Sequence, residues 1–346
     1  MNKTTRNILL LAGLVLAGRA LVQKRREADL AGQVVLITGG SRGLGLALAE
    51  EFGKHGAQLA LCARDAGELQ RARETLAGRG MDTHTVVCDL SDPAQAARLI
   101  ADVTAHYDRV DILVNNAGMI EVGPVQNMAR SDFEDALAVD FWGVLDPILA
   151  VLPQMRARGS GRIVNVTSIG GKVAFPHLLP YVAAKFAATG LSEGLYAELA
   201  RDGVTVTTIV PGLMRTGSYG NALFKGDKAG EYAWFSLGDN LPGGSISAER
   251  AAREIVTATR RGEAERILSV PANLLACLHG LAPGATGGLL TLINNLFLPA
   301  PTDKPGGYTA SQGKDVAPDV PARPLFEATT GLGRAAAERL NENSEG

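Results

Sequence analysis

Short apolar runs alternate with amphipathic segments along most of the chain, and this alternation restricts the fold more than any other feature of the 346-residue sequence. A continuous apolar run of a few residues is typical of a strand buried on both faces, and parallel strands are joined by crossover helices. We therefore expect an α/β fold with a single doubly wound parallel sheet flanked by helices. The predicted strands are Gln33–Thr38, Gln58–Cys62, Thr83–Cys88, Ile112–Val114, Gly161–Thr167, Val204–Val210 and Ile267–Val270.

The segments between these strands carry apolar residues at helical spacing. In the first of them Leu44, Leu48 and Phe52 recur on one helix face, and Gly56 provides a stop. Sheets of this kind bind ligands at the carboxyl ends of their strands, so functional residues are expected there. The predicted helices are Leu44–His55, Ala66–Gly78, Pro93–Tyr107, Asp132–Met155, Pro180–Arg201, Ser247–Arg260 and Gly333–Leu340.

A glycine-rich turn, T-G-G-S-R-G-L-G over residues 38–45, follows the first predicted strand. Glycine permits a tight backbone path, and the N-terminus of the following helix offers free N–H groups to a pyrophosphate. Because Gly39, Gly43 and Gly45 stand between a strand and a helix, the pattern favours a nucleotide site over a merely structural turn.

The end of the second predicted strand indicates which nucleotide binds. An NAD site usually places a carboxylate there to bind the ribose 2′-hydroxyl, but this chain reads Cys62-Ala63-Arg64. Arg64, together with Arg42 of the glycine turn, offers two guanidinium groups to a 2′-phosphate. The sequence therefore predicts NADP (NADPH) as the cofactor; the alternative is that both arginines are solvated surface charges.

Ser168, Tyr181 and Lys185 form the pattern S-x12-Y-x3-K. On a helix, residues four apart lie on one face, so the Lys185 ammonium can lie beside the Tyr181 phenol. A nearby cation favours phenolate and lowers the pKa of a tyrosine toward the range useful for acid–base chemistry. Ser168 adds a hydroxyl that can hold a substrate oxygen, so the three residues predict a catalytic centre.

These motifs together resemble the short-chain dehydrogenase/reductases, over about residues 33–270. The resemblance implies a Rossmann-like sheet and hydride transfer between a nicotinamide cofactor and a carbonyl or alcohol. It also implies that Asp89 contacts the adenine, that Asn115–Gly118 stabilises the sheet and walls the ribose, and that Thr216 after Pro211-Gly212 contacts the nicotinamide carboxamide. The candidate cofactor-binding residues are Thr38, Gly39, Ser41, Arg42, Gly43, Leu44, Gly45, Arg64, Asp89, Asn115, Ala117, Gly118, Tyr181, Lys185, Pro211, Gly212 and Thr216.

One position departs from the family pattern. An asparagine generally stands in the central long helix of the family, within V-N-x-x-G, whereas this chain has Asp140 there. An aspartate can accept the same hydrogen bonds but cannot donate as an amide does, and its charge can pair with Lys185. Asp140 is therefore a fourth candidate catalytic residue with two outcomes: the backbone role survives, or Asp140 draws the lysine away and leaves the pKa of Tyr181 too high.

The N-terminus is apolar from Ile8 to Gly18 and has basic residues on both sides, with a Lys24-Arg25-Arg26 cluster at its end. A cleaved signal peptide and a spanning helix are two interpretations; the run falls short of the roughly 20 residues that a span needs. We favour a short uncleaved anchor over residues 1–28, with the basic cluster facing the anionic cytoplasmic leaflet. The enzyme would then be membrane-associated with a cytoplasmic catalytic domain.

Composition excludes some classes of protein. The formal net charge of −2 gives no basic excess, so nucleic-acid binding is not expected. The three cysteines, of which Cys62 and Cys88 fall in predicted strands, are too few for a disulfide scaffold. No metal site is expected.

The domain organisation follows from these features: an anchor (1–28), a catalytic domain (32–270) with a substrate lid (212–245), an apolar extension (271–298), and a polar, largely flexible tail (299–346). The apolar extension has three open interpretations: a substrate-side flap, a dimer contact in a homo-oligomer, or a second membrane contact. The aromatic residues of the lid either cover a ligand or pack the loop onto the domain.

The sequence thus predicts an NADP(H)-dependent oxidoreductase that interconverts a carbonyl and an alcohol. The apolar anchor and the aromatic lid indicate a small, apolar substrate. The alternative is a non-catalytic NADP-binding scaffold or sensor, because Asp140 departs from the residue of the catalytic family pattern. Nucleotide binding without turnover would distinguish this alternative.

Overall fold

A computed structural model describes residues 27–240, 243–320 and 330–342. Apart from residues 27 and 28, the predicted N-terminal anchor lies outside these residues. A seven-stranded sheet forms the centre of the fold, and all its strand pairs are parallel. In chain order its strands are β1 (Val34–Thr38), β2 (Gln58–Ala63), β3 (Thr83–Val87), β4 (Ile112–Asn115), β5 (Gly161–Val166), β6 (Val204–Val210) and β7 (Glu265–Ile267).

The spatial order of the strands is β7-β6-β5-β4-β1-β2-β3. Strand β1 therefore lies between β2 and β4, and the order reverses there. In doubly wound sheets, the crevice at such a reversal is where dinucleotides bind. The parallel seven-stranded sheet with helices between its strands confirms the predicted fold class. Strand β1 is fully buried, as expected for a continuous apolar run covered on both faces.

Helices cover both faces of the sheet and form two separate apolar cores. On one face Phe52 packs with Leu59 and Ile255, and on the other Ile148 packs with Leu99 and Val206. The helices of the catalytic domain are α1 (Gly43–Lys54), α2 (Ala66–Ala77), α3 (Pro93–Tyr107), α4 (Arg130–Leu137), α5 (Gly143–Arg158), α6 (Leu179–Leu199), α7 (Lys228–Asn240) and α8 (Ala248–Arg261).

The long helix predicted over Asp132–Met155 is interrupted. Helices α4 and α5 are joined by a turn of π-helix, Ala138–Trp142, which contains Asp140. Wide turns of this kind are found mostly inside α-helices and frequently at functional sites. Arg130–Arg158 as a whole is long and apolar enough to cross a membrane, as the one such stretch in the described part of the chain. Its inward residues Val144, Ile148 and Val151 lie in the domain core, which accounts for the apolar composition.

The last strand ends earlier than the sequence predicts, and the apolar extension that follows it is helical. Strand β7 ends at Ile267 instead of reaching Val270, because Val270 begins a helix with Pro271 in its first turn and Ser269 as its N-cap. The extension forms two helices joined at Ala282, α9 (Val270–Leu281) and α10 (Pro283–Phe297). We call residues 270–297 the apolar hairpin.

The predicted lid, residues 212–245, contains helix α7, which the sequence did not indicate. Its aromatic side chains Tyr219, Phe224, Tyr232 and Phe235 pack on one another in a third apolar cluster. Two of the three pairs involve Tyr232, whose ring lies edge-on to Tyr219 and Phe224. This arrangement matches the interpretation in which the aromatics pack the segment onto the domain.

Two parts of the predicted polar tail pack against the domain. Ser311 and Gln312 pair with Phe224 and Leu223, and the helix α11 (Gly313–Val316) follows. A terminal helix, α12 (Gly331–Arg339), lies close to the predicted Gly333–Leu340 and buries Ala336 and Leu340 in the domain core. The described end of the chain is therefore a packed part of the domain.

Candidate active site

The glycine turn is held against the end of β4 by hydrogen bonds. The Thr38 hydroxyl accepts from the backbone N–H groups of Asn116 (2.9 Å) and Ala117 (3.0 Å), and the Asn116 amide donates to the carbonyls of Thr38 and Gly39 (both 3.1 Å). These hydrogen bonds join the carboxyl end of β1 to the carboxyl end of β4, where the strand order reverses. Thr38 and Ala117, both predicted site residues, belong to this junction.

Glycine is required at two positions of the turn. Gly43 has a φ of 55°, in the left-handed region that side chains rarely adopt. A Cβ on Gly45 would collide with the carbonyl oxygen of Gly39. The backbone therefore takes the tight path that brings the first N–H groups of α1 to the crevice, and Leu44 and Gly45 lie in this first turn. The residues present thus fit a dinucleotide, because a pyrophosphate needs this close approach of the backbone.

Ser41 and Arg42 are both bound to one carboxylate, which the sequence did not single out. The Ser41 hydroxyl donates to Glu68 (2.9 Å), and the Arg42 guanidinium forms an ion pair with the other Glu68 oxygen (2.7 Å). Glu68 is buried in the first turn of α2, whose N-cap is Asp65. Arg64 is exposed at the end of β2. The structure therefore places both predicted arginines near the end of β2, with an acid beside Arg42.

The remaining predicted cofactor residues also lie at carboxyl ends of strands. The Asp89 carboxylate after β3 accepts from the N–H and the hydroxyl of Ser91, at 3.0 and 2.8 Å. Pro211, after β6, accepts a hydrogen bond from the Ile169 N–H (2.7 Å), so the Pro211-Gly212 segment lies against the loop that carries Ser168. The Thr216 side chain is buried, and its hydroxyl accepts from the Ser218 N–H.

Asn115 joins the strands from inside the sheet. Its amide donates to the Asn165 side chain (2.9 Å), which in turn donates to the Ser192 hydroxyl (3.0 Å). Ser192 shares a hydrogen bond with Thr208 on β6. This buried polar chain links β4, β5, β6 and α6 and so fixes the helix that carries the candidate catalytic tyrosine and lysine.

Tyr181 and Lys185 lie one turn apart on α6, as predicted from their spacing. The Lys185 ammonium nitrogen is 5.6 Å from the centre of the Tyr181 ring. Ser168 follows the end of β5 in extended conformation, and its hydroxyl accepts from the Gly170 N–H (2.9 Å). A Cβ on Gly170 would lie 3.3 Å from both the Ser168 hydroxyl oxygen and a Tyr181 ring carbon, so the two side chains lie side by side. Ser168 and Tyr181 are partly exposed, whereas Lys185 is buried. The structure thus brings all three residues together.

Asp140 joins this group through an ion pair. A carboxylate oxygen lies 3.0 Å from the Lys185 ammonium, and the other accepts from the Met119 N–H at 3.4 Å. The aspartate is fully buried. Gly118 is needed beside it, because a Cβ there would lie 2.7 Å from the Asp140 oxygen. Lys185 also donates to the Val166 carbonyl (3.3 Å), so the ammonium is held between α6, the π-turn and β5.

These contacts act on the proton affinities of the site. Burial is the main cause that raises the pKa of Tyr181, Lys185 opposes it, and Asp140 adds to the rise. Burial works to lower the pKa of Lys185, but the nearby Asp140 and Tyr181 more than offset this and raise it. Burial also raises the pKa of Asp140 against the effect of Lys185. The lysine is therefore kept cationic, and part of its charge is balanced by Asp140.

A further acid lies near the site without having been predicted. Asp239 near the end of α7 is buried, and burial raises its pKa to about 7. Its charge contributes to the raised pKa of Tyr181. Only the packing of α7 brings it there, and no sequence motif marks it. In the described ranges 27–240, 243–320 and 330–342, no group of three or more His, Cys, Asp or Glu side chains could hold a metal ion.

Known relatives share this architecture. A crystal structure of a short-chain dehydrogenase from Streptomyces avermitilis superposes with a TM-score of 0.64 at 31% identity, covering 77% of this chain and 98% of that one. The structure of a gluconate 5-dehydrogenase from Burkholderia cenocepacia, in complex with NADP and tartrate, has a TM-score of 0.63 at 26% identity, covering 72% and 98%.

Sequence comparisons lead to the same family. A dehydrogenase/reductase SDR family protein 7-like of Anopheles gambiae is 36% identical over 282 residues, 78% of this chain and 86% of the relative. A putative ketoacyl reductase of the granaticin polyketide synthase of Streptomyces violaceoruber is 40% identical over 185 residues, 53% of this chain and 68% of the relative. The family model for short chain dehydrogenases matches residues 33–223. The chain is therefore an enzyme of the short-chain dehydrogenase/reductase family.

Proposed function

We propose that this protein is an NADP(H)-dependent oxidoreductase that interconverts a carbonyl and an alcohol at a Ser168-Tyr181-Lys185 centre. The observation that carries the proposal is the meeting of these three side chains beside the glycine turn, with the ammonium 5.6 Å from the phenol ring. A cation at this distance favours the phenolate and opposes the rise in the pKa of Tyr181 that burial and Asp140 cause.

The choice of NADP is supported by Ser41, Arg42 and Arg64, which offer a hydroxyl and two guanidinium groups to a 2′-phosphate. Two similar structures, the gluconate 5-dehydrogenase above and a metagenomic short-chain oxidoreductase (33% identity, TM-score 0.51, covering 54% of this chain and 83% of that one), contain NADP. When bound, the dinucleotide would supply or accept the hydride. The glycine turn would hold its pyrophosphate, and Asp89, Asn115 to Gly118 and Thr216 would hold its two ends.

The protein's own residues would handle the substrate oxygen and its proton. Ser168 is partly exposed beside Tyr181 and would hold the oxygen by a hydrogen bond. Tyr181 would donate the proton in reduction and take it in oxidation. Lys185 would lower the pKa of Tyr181 and so favour this proton transfer. Asp140 would partly neutralise the lysine and so reduce that effect.

The substrate is proposed to be a small lipophilic ketone, alcohol or lipid intermediate. The aromatic cluster of Tyr219, Phe224, Tyr232 and Phe235 makes the segment after Thr216 largely apolar. Similar proteins are named as putative ketoacyl reductases and as a gluconate 5-dehydrogenase, so the relatives' names alone do not select one substrate class.

The test is to follow NADPH absorbance with a panel of membrane-soluble and water-soluble carbonyls, comparing Tyr181→Phe with the original protein. Loss of the phenol should lower turnover by about 10²-fold or more while NADPH still binds. Tyr196→Phe is the matched control, because Tyr196 lies on the same helix and is exposed. Turnover by Tyr181→Phe at the original rate would refute the assignment. NADPH binding without turnover on any carbonyl would instead favour the scaffold or sensor.

We further propose that the enzyme lies at a membrane, through its N-terminal segment and the apolar hairpin, with the catalytic domain in the cytoplasm. Residues 270–297 contain no Asp, Glu, Lys or Arg. Leu281 at the tip is 87% exposed and Phe297 is 72% exposed. Uncharged, exposed helices of this length suit the apolar boundary of one bilayer leaflet.

Flotation of the full chain with phosphatidylcholine–phosphatidylserine vesicles tests this placement. Leu281→Glu with Phe297→Glu should lower the bound fraction. Val87→Glu should not, because Val87 is an exposed apolar residue on β3, at the opposite edge of the sheet from β7 and the hairpin that follows it. If the double variant floats unchanged but sediments as a smaller species, the hairpin is instead the contact of a homo-oligomer.

A further inference from the structure

The described end of the chain lies on the glycine turn. We call residues 330–342 the C-terminal segment. The Gly43 N–H donates to the Leu340 carbonyl (2.8 Å), and the Asn341 amide donates to the carbonyls of Ser41 (2.9 Å) and Glu68 (3.1 Å). These bonds connect positions 273 to 300 residues apart in sequence, and two of them use backbone groups of the turn, the Gly43 N–H and the Ser41 carbonyl.

The Glu342 carboxylate lies beside Gly43. A Cβ on Gly43 would collide with a Glu342 oxygen, and the same point is 4.0 Å from the Thr216 side chain. The other oxygen is 3.4 Å from the Arg42 guanidinium and accepts from the Asn221 amide (2.7 Å). The glutamate is buried. A carboxylate therefore occupies the space between the glycine turn and Thr216.

This space is the one that a dinucleotide would need. The glycine turn brings its backbone close to the crevice at Gly43, where an anionic pyrophosphate would approach it, and the N-terminus of α1 attracts negative charge. The Gly43 N–H has a single hydrogen, which Leu340 already accepts. A carboxylate and a carbonyl of the chain thus stand where phosphate oxygens would make their contacts.

The segment is seated by packing as well as by polar contacts. Ala336, Ala337 and Leu340 are buried, and Gly217 must be glycine because a Cβ there would collide with Ala337. The Gly333 N–H donates to the Asn240 side chain at 2.7 Å, which ties the segment to the end of α7. The C-terminal segment therefore contacts the glycine turn, the loop after Thr216 and the end of α7.

We propose that the C-terminal segment is a built-in competitor of the dinucleotide, which must lift residues 340–342 from the glycine turn in order to bind. This inference rests on the proposed function, since it needs a dinucleotide that binds at the turn. Because only the undocked fraction of the protein can bind, the apparent affinity for NADPH is reduced by that fraction.

The test uses the full chain and NADPH. In the double variant Asn341→Ala/Glu342→Ala the segment loses its side-chain contacts with the turn, while the Leu340 carbonyl can still accept from Gly43. NADPH should then bind about tenfold more tightly, the effect of removing hydrogen bonds to a charged group. Glu338→Ala is the matched control, because Glu338 lies on the same helix, is exposed, and its replacement also removes one carboxylate. Its NADPH affinity should be unchanged.

Hydrogen exchange of the original protein gives a second readout. Amides of residues 331–342 should exchange faster when NADPH is added. Weaker NADPH binding by the double variant would overturn the proposal and make the segment part of the cofactor site. Equal affinity of all three proteins, with residues 331–342 equally protected with and without NADPH, would overturn it too. If neither NADPH nor NADH binds any of the proteins, the proposed function itself fails and the inference fails with it.

Discussion

The Lys185 ammonium lies 3.0 Å from the Asp140 carboxylate, and both side chains are buried next to the Tyr181 ring. A buried ion pair is held by mutual attraction that must offset the loss of water from both charges. Asp140 therefore has two effects at once: it retains the positive charge of Lys185, and it weakens the action of that charge on the phenol.

Replacing Asp140 with asparagine should shift the pH dependence of catalysis. Asp140 contributes to the raised pKa of Tyr181, so removing its charge lowers this pKa. The limb of the kcat/KM profile that reports deprotonation of the tyrosine should then move to lower pH. The profiles of Asp140→Asn and of Asp146→Asn, a control on α5, can be compared directly. Unchanged limbs in Asp140→Asn would remove Asp140 from the mechanism.

Breaking the same pair from the lysine side should affect stability. Lys185→Met leaves the Asp140 carboxylate buried without its cation, which costs about 3–5 kcal/mol in the free energy of unfolding. Asp140→Asn in the same protein should recover most of this loss. The loss should also shrink as the pH falls, because protonated Asp140 needs no partner. Urea unfolding of the original protein, Lys185→Met and Lys185→Met/Asp140→Asn measures these differences in the free energy of unfolding. Lys172→Met is the control: it breaks a partly exposed ion pair and should cost less than about 1 kcal/mol.

The parallel sheet could be predicted because each central strand is a continuous apolar run bounded by glycine or polar residues. The end of the last strand could not be predicted correctly. The residues before Ser269 and the residue after it are all apolar, although a helix capped by Ser269 begins at Val270. Periodicity does not distinguish a buried strand from the first turn of an apolar helix. Similarly, α7 carries glycine and aromatic residues that suggested an irregular lid.

The motif residues of the site were identifiable because their spacing is local or follows the strands. Glu68, Asp239 and Glu342 were not, because each reaches the crevice only through the packing of the helix or segment that carries it. The Glu342 contact with Gly43 joins residues that are remote in sequence and unrelated by any repeat or motif. The sequence alone indicated only a polar tail with a short helix.

Glu68 should tune the preference for the 2′-phosphate. Its carboxylate binds Ser41 and Arg42, and so competes with a phosphate for both. Glu68→Gln should raise affinity for NADPH by about fivefold, because a partly exposed ion pair contributes up to ~1 kcal/mol, and should leave NADH binding nearly unchanged. Fluorescence titration with both cofactors measures the ratio, and Glu74→Gln on the exposed face of α2 is the control. An equal gain for NADH would show that Glu68 does not act on the phosphate.

Docking of the C-terminal segment should weaken as the pH rises. Burial, opposed by Arg42 and supported by the Glu68 charge, raises the pKa of Glu342 from 4.5 to about 7. A raised pKa means that the docked state favours the protonated acid, so docking is strongest below the undocked pKa and loses free energy as the pH rises toward and beyond 7. With these two values the docking constant falls about tenfold between pH 6 and pH 8. The gain in NADPH affinity of Asn341→Ala/Glu342→Ala over the original protein should therefore be larger at pH 6 than at pH 8. Titration of the 2′-phosphate affects both proteins alike and cancels in this ratio, so a ratio that is constant or grows with pH would contradict the protonated, docked Glu342.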